Sequence, residues 1–88
     1  MIVIRHLYSK KDCDYIIDCM YEDKICFVSV EDVDIDMATR ILDNLEGAAR
    51  AIGGSKIEKI SEEVEIYIIT PPDMEIETPR FRQNRREF

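Results

Sequence analysis

Apolar residues along this chain fall into short runs that alternate between strand-like and helix-like spacing. Residues 2–7 form a run rich in β-branched side chains, which is typical of a strand. Ser9 is a candidate N-cap with Asp12 in the capping-box position, and it precedes apolar residues at helical spacing: Cys13, Ile16, Ile17 and Met20. Residues 25–30 are almost entirely apolar, which favours a strand covered on both faces. This order predicts a βαβ unit with two parallel strands.

A second helix is predicted to follow Asp34, its candidate N-cap. Its core-facing stripe repeats at helical spacing and consists of Ala38, Ile41, Leu42, Leu45, Ala49 and Ile52. Gly53 and Gly54 come directly after the last apolar residue of the stripe. Glycine at this position is a typical helix terminator, so we predict that the helix ends in a turn formed by these two glycines.

The C-terminal part of the core is predicted to consist of strands. Residues 56–60 and 64–70 are joined by a polar turn, and Pro71-Pro72 ends the second strand because proline cannot donate to a sheet. Residues 74–76 are predicted to form one last short edge strand.

The predicted fold class is therefore α/β, as an α+β sandwich. Two helices pack on one face of a five-stranded mixed sheet, in the order β-α-β-α-β-β-β. In the strand at 64–70 we expect Val64, Ile66 and Ile68 on one face, and Glu65, Tyr67 and Ile69 on the other. Two helices cover only one face, so we expect Tyr67 and Ile69 to lie on an open face that serves as an interface.

Charge divides the chain of 88 residues into an acidic body and a basic end. Residues 1–79 hold eight basic and 18 acidic residues, a net charge of −10, whereas residues 80–88 carry +3. An acidic body repels phosphate backbones, so nucleic acid is not expected as the main partner. The domain boundaries predicted are a core over 1–77 and a basic tail over 78–88. A tail mixing arginine with phenylalanine is either a solvated end or a ligand for anionic lipid or RNA.

No catalytic or metal-binding constellation stands out. Three cysteines, Cys13, Cys19 and Cys26, form no CxxC pair, and we expect them to be reduced and buried in a cytoplasmic protein. His6 is the single histidine, which disfavours a zinc site. The residues from Gly53 to Lys56 lack the order of a phosphate-binding loop. We therefore expect no cofactor, no metal and no enzymatic activity.

Gly47 lies inside the second predicted helix, where glycine costs about 1 kcal/mol relative to alanine. One explanation is a bend or a tolerated substitution. The other is that a second backbone comes close, most simply a helix of a second subunit. On helical spacing Gly47 shares the face opposite the apolar stripe with Arg40, Asp43 and Arg50, and these four residues are our candidate subunit interface.

Four segments together resemble the SepF family of cell-division proteins. They are residues 38–47 (ATRILDNLEG), 51–54 (AIGG), 59–60 (KI) and 67–71 (YIITP). The family's C-terminal domain typically contains A-x-R-I-x-D-F-x-x-G, then A-x-G-G, then a basic residue and a strand that ends in T-P. The resemblance covers residues 2–77.

The resemblance implies a non-enzymatic adaptor at the division site, on the inner face of the membrane. SepF-like proteins dimerise, and many assemble further. They bind the C-terminal tail peptide of FtsZ, the tubulin-like division GTPase. Lys59 and Tyr67 match positions where the family presents a basic and an aromatic residue, so we expect them in a peptide groove with Ile57 and Ile69. Lysine would complement an acidic residue of the peptide, and tyrosine would add an amphipathic contact.

This sequence departs from the family pattern in four places. Asn44 replaces phenylalanine, Arg50 replaces a common aromatic, and the turn at 61–63 is longer. Met1 directly precedes the first strand, so we expect either a truncated chain or a core-only protein that reaches the membrane indirectly or through its tail. The alternatives from other classes are a small RNA-binding α/β domain that uses the arginine-rich tail, and an unrecognised enzyme.

Overall fold

The computed structural model describes residues 1–77, which form two helices and four strands. In chain order the elements are β1 (Ile2–His6), α1 (Lys10–Tyr21), β2 (Ile25–Ser29), α2 (Ile35–Ile52), β3 (Lys56–Lys59) and β4 (Ile66–Thr70). The predicted tail at 78–88 lies outside the described residues. Among those described, no helix is long and apolar enough to cross a membrane.

The strands form one mixed sheet in the order β1-β2-β4-β3. β1 and β2 are parallel, which confirms the predicted βαβ unit, and β4 runs antiparallel to both β2 and β3. Because β4 inserts between β2 and β3, it is a central strand.

The predicted fifth strand at Met74 and Ile76 is wrong, and the sheet within residues 1–77 has four strands. After Pro71 the backbone turns, with Met74 N donating to the Pro71 carbonyl at 3.2 Å. The Lys56 ammonium then donates to the Met74 carbonyl at 2.7 Å. A chain held in this turn cannot extend along the sheet edge. Pro71 and Pro72 also lack the backbone N–H groups that a strand donates to its neighbour.

The caps of the two helices differ. Asp34 caps α2 as predicted, since its carboxylate accepts from Met37 N at 2.8 Å. At the other end Gly53 takes a left-handed conformation with φ 109°, as a glycine terminator should. Ser9 is the N-cap of α1, but its side chain makes no capping hydrogen bond. Asp12 instead accepts from Tyr8 N at 2.8 Å, the N–H one residue before the cap, which is not the reciprocal bond of the predicted capping box.

Both helices cover one face of the sheet, and the hydrophobic core lies between these two layers. Buried members of the core include Leu7, Ile16, Val28, Leu45 and Ile69. The three cysteines are free and buried, as predicted. Burial raises the pKa of the Cys26 thiol to about 12, with the neighbouring Cys19 as a further cause.

The predicted faces of β4 are reversed. Ile69 is buried and Tyr67 half-buried against the core beneath the helices, so both lie on the covered face. Alternation along paired strands places six apolar residues on the opposite face: Ile2, Ile4, Ile25, Phe27, Ile66 and Ile68. We call this set the sheet face. The reversal has a simple reason: β4 is apolar on both faces, so alternation fixes which residues group together but not which group faces the helices.

Candidate functional site

The four residues predicted for the peptide groove are neighbours in the structure. Lys59 pairs with Tyr67, and Ile57 pairs with Ile69, across the antiparallel β3–β4 ladder. Alternation puts all four side chains on the helix-covered face. Ile69 is only 1% exposed beneath the helices, so it supports the site from below and does not contact solvent. The other three are half-buried at the margin of the layer.

Tyr67 opens onto an apolar groove of about 600 Å³, which we call the α2 groove. One wall is the first half of α2, and the other is formed by β4 and the loop between β2 and α2. Its apolar lining includes Val33, Ile35, Ala38, Leu42 and Tyr67. Ile35 lies at the rim of this groove, and its side chain is 81% exposed among the described residues. An apolar cleft with a few polar groups is the usual form of a ligand site.

Glutamates supply the polar groups at the β4 side of this groove. Glu65 accepts from the Lys59 ammonium at 3.0 Å and from the Tyr67 hydroxyl at 3.0 Å. The Glu65 backbone N–H donates to a Glu31 carboxylate oxygen at 3.3 Å. Both Glu31 and Glu65 line the groove. Lys59 is therefore already paired, and the groove carries two carboxylates that were not among the predicted groove residues.

The pKa values of this cluster follow from its hydrogen bonds. The bond from Lys59 is the largest cause that lowers the pKa of Glu65 below its ordinary value. Partial burial, followed by the hydrogen bond to Glu65, raises the pKa of Tyr67 to about 12. Tyr67 is therefore neutral at physiological pH, and its ring presents an amphipathic surface.

Ile57 contributes to a separate, smaller pocket. This cavity of about 160 Å³ lies near the C-terminal end of α2, where Ile57 meets Glu46, Arg50 and Ser55. Its lining shares no residue with the α2 groove. Ile57 and Tyr67 thus lie on one face of the sheet but open onto different depressions.

The predicted subunit interface lies on the outer side of α2. Arg40, Asp43 and Arg50 are exposed and Gly47 is half-buried. A Cβ atom added to Gly47 would meet nothing within 4 Å among the described residues. Packing inside this part of the chain therefore does not require glycine at that position.

The sheet face is the second apolar surface. Ile4 is 80% exposed and Ile2 60%, and the other four members are half-buried. Within residues 1–77, none of the six belongs to the hydrophobic core or packs against it. Contiguous apolar surface of this kind usually marks an interaction site.

A two-layer α+β sandwich with an apolar groove on one side and an uncovered apolar sheet on the other defines a small domain suited to protein contacts. The sequence profile of the SepF family, described as cell division protein SepF, matches residues 2–76. The chain belongs to the SepF family of cell division proteins.

A solved structure supports the same fold. The SepF-like protein from Archaeoglobus fulgidus aligns with a TM-score of 0.75 at 17% identity, covering 92% of this chain and 96% of that chain. No curated protein sequence matches this chain.

Proposed function

We propose that this protein is a non-enzymatic cell-division adaptor that binds the C-terminal tail peptide of FtsZ. The family supports a role in cell division. The observation that carries the finer proposal is the α2 groove, where a half-buried, neutral Tyr67 borders an apolar cleft. A short peptide segment with bulky apolar side chains fits a groove between a helix and a strand.

Within this site Tyr67 is the central contact, and Lys59 acts through Glu65. The 3.0 Å ion pair holds the Glu65 carboxylate beside the tyrosine hydroxyl. Lys59 therefore orders the β4 side of the groove, and it meets an acidic peptide residue only if the Glu65 pair opens. Ile57 and Ile69 support the β3–β4 ladder beneath the site.

We also propose that the protein is a homodimer through its sheet face, with further assembly through the outer side of α2. The sheet face offers six apolar side chains, a set that a second copy can cover about a two-fold axis. A dimer carries two grooves, and an FtsZ filament carries many tails. Weak single contacts then combine into strong binding, which anchors or bundles filaments on the inner face of the membrane at the division site.

Titration of the intact protein with the FtsZ tail peptide of the same organism tests the groove. We expect amide chemical shifts to change at Leu42, Glu65 and Tyr67, and to stay constant at Ile4 on the sheet face. A Tyr67→Ala variant should bind about tenfold more weakly, because an aromatic anchor is worth at least about 1.4 kcal/mol.

Tyr21→Ala is the matched control, since Tyr21 is 62% exposed at the end of α1, outside the groove lining. It should bind the peptide like the unchanged protein. Shifts confined to surfaces other than the groove contradict the assigned site, and no binding at all contradicts the FtsZ-binding function.

A further inference from the structure

The charge at the α2 groove is opposite to that expected for a receptor of acidic peptides. Glu31 and Glu65 line it, and Glu46 acts on the Tyr67 hydroxyl from α2. Lys59 of β3 is a neighbouring cation, and its ammonium is already 3.0 Å from a Glu65 carboxylate oxygen. The groove therefore combines an apolar wall with an excess of carboxylate, which complements an apolar side chain that has a cation beside it.

The same chain contains a segment with this complementary chemistry. Residues 80–88 (RFRQNRREF) carry four arginines, one glutamate and two phenylalanines, a net charge of +3 beside a body of −10. Arginine pairs with carboxylates through a planar fork and also stacks on aromatic faces such as that of Tyr67. We infer that the α2 groove binds the chain's own C-terminal segment, residues 78–88, with a phenylalanine against the α2 wall and arginines beside Glu31 and Glu65.

The segment is long enough to reach its own groove. The described chain passes Lys56, where the Met74 carbonyl accepts a hydrogen bond at 2.7 Å. Lys56 pairs with Thr70, three residues along β4 from Tyr67, a distance of about 10 Å at strand spacing. Because Lys56 alternates with Ile57, its side chain lies on the sheet-face side, so the segment must also pass round the edge strand β3, which adds about 20 Å at the usual strand and layer spacings. The 11 residues from 78 to 88 extend to about 36 Å. Intramolecular docking is therefore geometrically accessible.

Docking of this segment has a consequence for any ligand of the groove. A tethered segment acts at an effective concentration of about 1 mM or more, so even a contact with a Kd near 1 mM occupies the groove for half the time or longer. The segment then competes with external peptides. Its removal should raise the affinity of a groove ligand by about twofold to tenfold.

The test uses the intact chain and compares it with a variant in which Arg80, Arg82, Arg85 and Arg86 are all replaced by glutamine. If the segment docks, the amide shifts of Glu31, Leu42 and Tyr67 differ between the two proteins, and those of Ile4 do not. The same groove amides should move in the intact chain as sodium chloride rises from 50 to 500 mM, because salt screens the arginine–carboxylate attraction. They should stay in place in the arginine variant.

Two further variants separate the contributions. Phe81→Ser with Phe88→Ser should reproduce the shift differences, because the apolar contact is lost. Glu31→Gln should do so from the groove side, whereas Glu58→Gln on the opposite face of β3 should not. Identical groove shifts in the intact chain and the arginine variant overturn the inference. Shifts that grow with protein concentration also overturn it, since they indicate binding to another copy.

This inference uses the groove of the proposed function, but it does not require that the groove binds FtsZ. If the groove shifts appear and the FtsZ tail peptide does not bind, the inference holds and the proposed function fails. If the peptide binds equally well to the intact chain and the arginine variant, the proposed function holds and the inference fails.

Discussion

Gly47 within α2 and Gly53 at its C-cap differ in the backbone conformation they adopt, although neither has an atom within 4 Å of the place where a Cβ would lie. Gly47 lies in the helix interior, and Gly53 has φ 109°, a left-handed conformation that disfavours any Cβ. Gly47→Ala should therefore stabilise the monomer by about 0.5–1 kcal/mol, while Gly53→Ala should destabilise it by about 1 kcal/mol. Urea unfolding of both variants measures the difference. A destabilising Gly47→Ala at low protein concentration contradicts this account.

The Glu65 carboxylate gives a second prediction at the scale of the residue. Its pKa lies below its ordinary value because of Lys59, so the charged form is favoured in the folded protein. The resulting stabilisation is present above the ordinary pKa of glutamate and is lost as pH falls through the lowered folded value. Carboxyl carbon shifts followed during acid titration should give Glu65 a midpoint below the ordinary pKa of a glutamate side chain.

Lys59→Met should move that midpoint upward, toward the ordinary value for glutamate. Lys56→Met provides the control, because Lys56 bonds to the Met74 carbonyl and makes no contact with Glu65 among those described. An unchanged Glu65 midpoint in Lys59→Met contradicts the assigned cause. It would also remove the basis for treating Lys59 as a residue that orders the groove.

At the scale of the element, the two helix starts differ in how they satisfy their first N–H groups. The Asp34 carboxylate accepts from Met37 N at 2.8 Å, whereas the Ser9 side chain makes no capping bond. Asp34→Ala should therefore cost about 1 kcal/mol of folding free energy, and Ser9→Ala only a few tenths. Thermal or urea unfolding of the two variants checks this. Equal losses in both contradict the observed difference in capping.

Sequence patterns predicted the elements that depend on local chemistry. The spacing of Ile41, Leu45 and Ala49 predicted α2, and its ends follow from the cap at Asp34 and the glycine at Gly53. The apolar run at 25–30 predicted a strand, and the βαβ order predicted its parallel partner. Each of these features is determined by residues within one or two turns, or by the handedness of a crossover.

Features that depend on distant contacts were not predictable in the same way. The fifth strand is absent from residues 1–77 because the turn after Pro71 is held by Lys56, 18 residues away from Met74. Both faces of β4 are apolar, so which of its residues face the helices is decided by contacts with the rest of the fold. For the candidate site, the Lys59–Tyr67 pair was predicted through the resemblance, but Glu31 joins it only through the tertiary fold.

At the scale of the whole molecule, the domain presents two broad surfaces on opposite sides of one thin sandwich. The sheet face lies on one side and the outer face of α2, with Gly47, on the other. If each surface makes its own two-fold contact, a pair of copies joined through one surface still has the other surface free. Further copies then add, and rings or filaments form. The α2 groove lies along one flank of the same helix, between α2 and β4. On the proposed function, peptide binding and assembly therefore use different surfaces.

Variants on each surface should separate the two contacts. Ile4→Glu places a carboxylate at a position that is 80% exposed, so the monomer should stay folded while a sheet-face dimer is lost. Gly47→Lys should leave the dimer intact and remove larger assemblies, because a long charged side chain blocks close approach of a second helix. Light scattering with size-exclusion chromatography should then give a monomer for the first variant and a dimer for the second. Assemblies that keep their mass in both variants contradict the two-surface arrangement, and a monomer in Gly47→Lys assigns the primary dimer to the helix side.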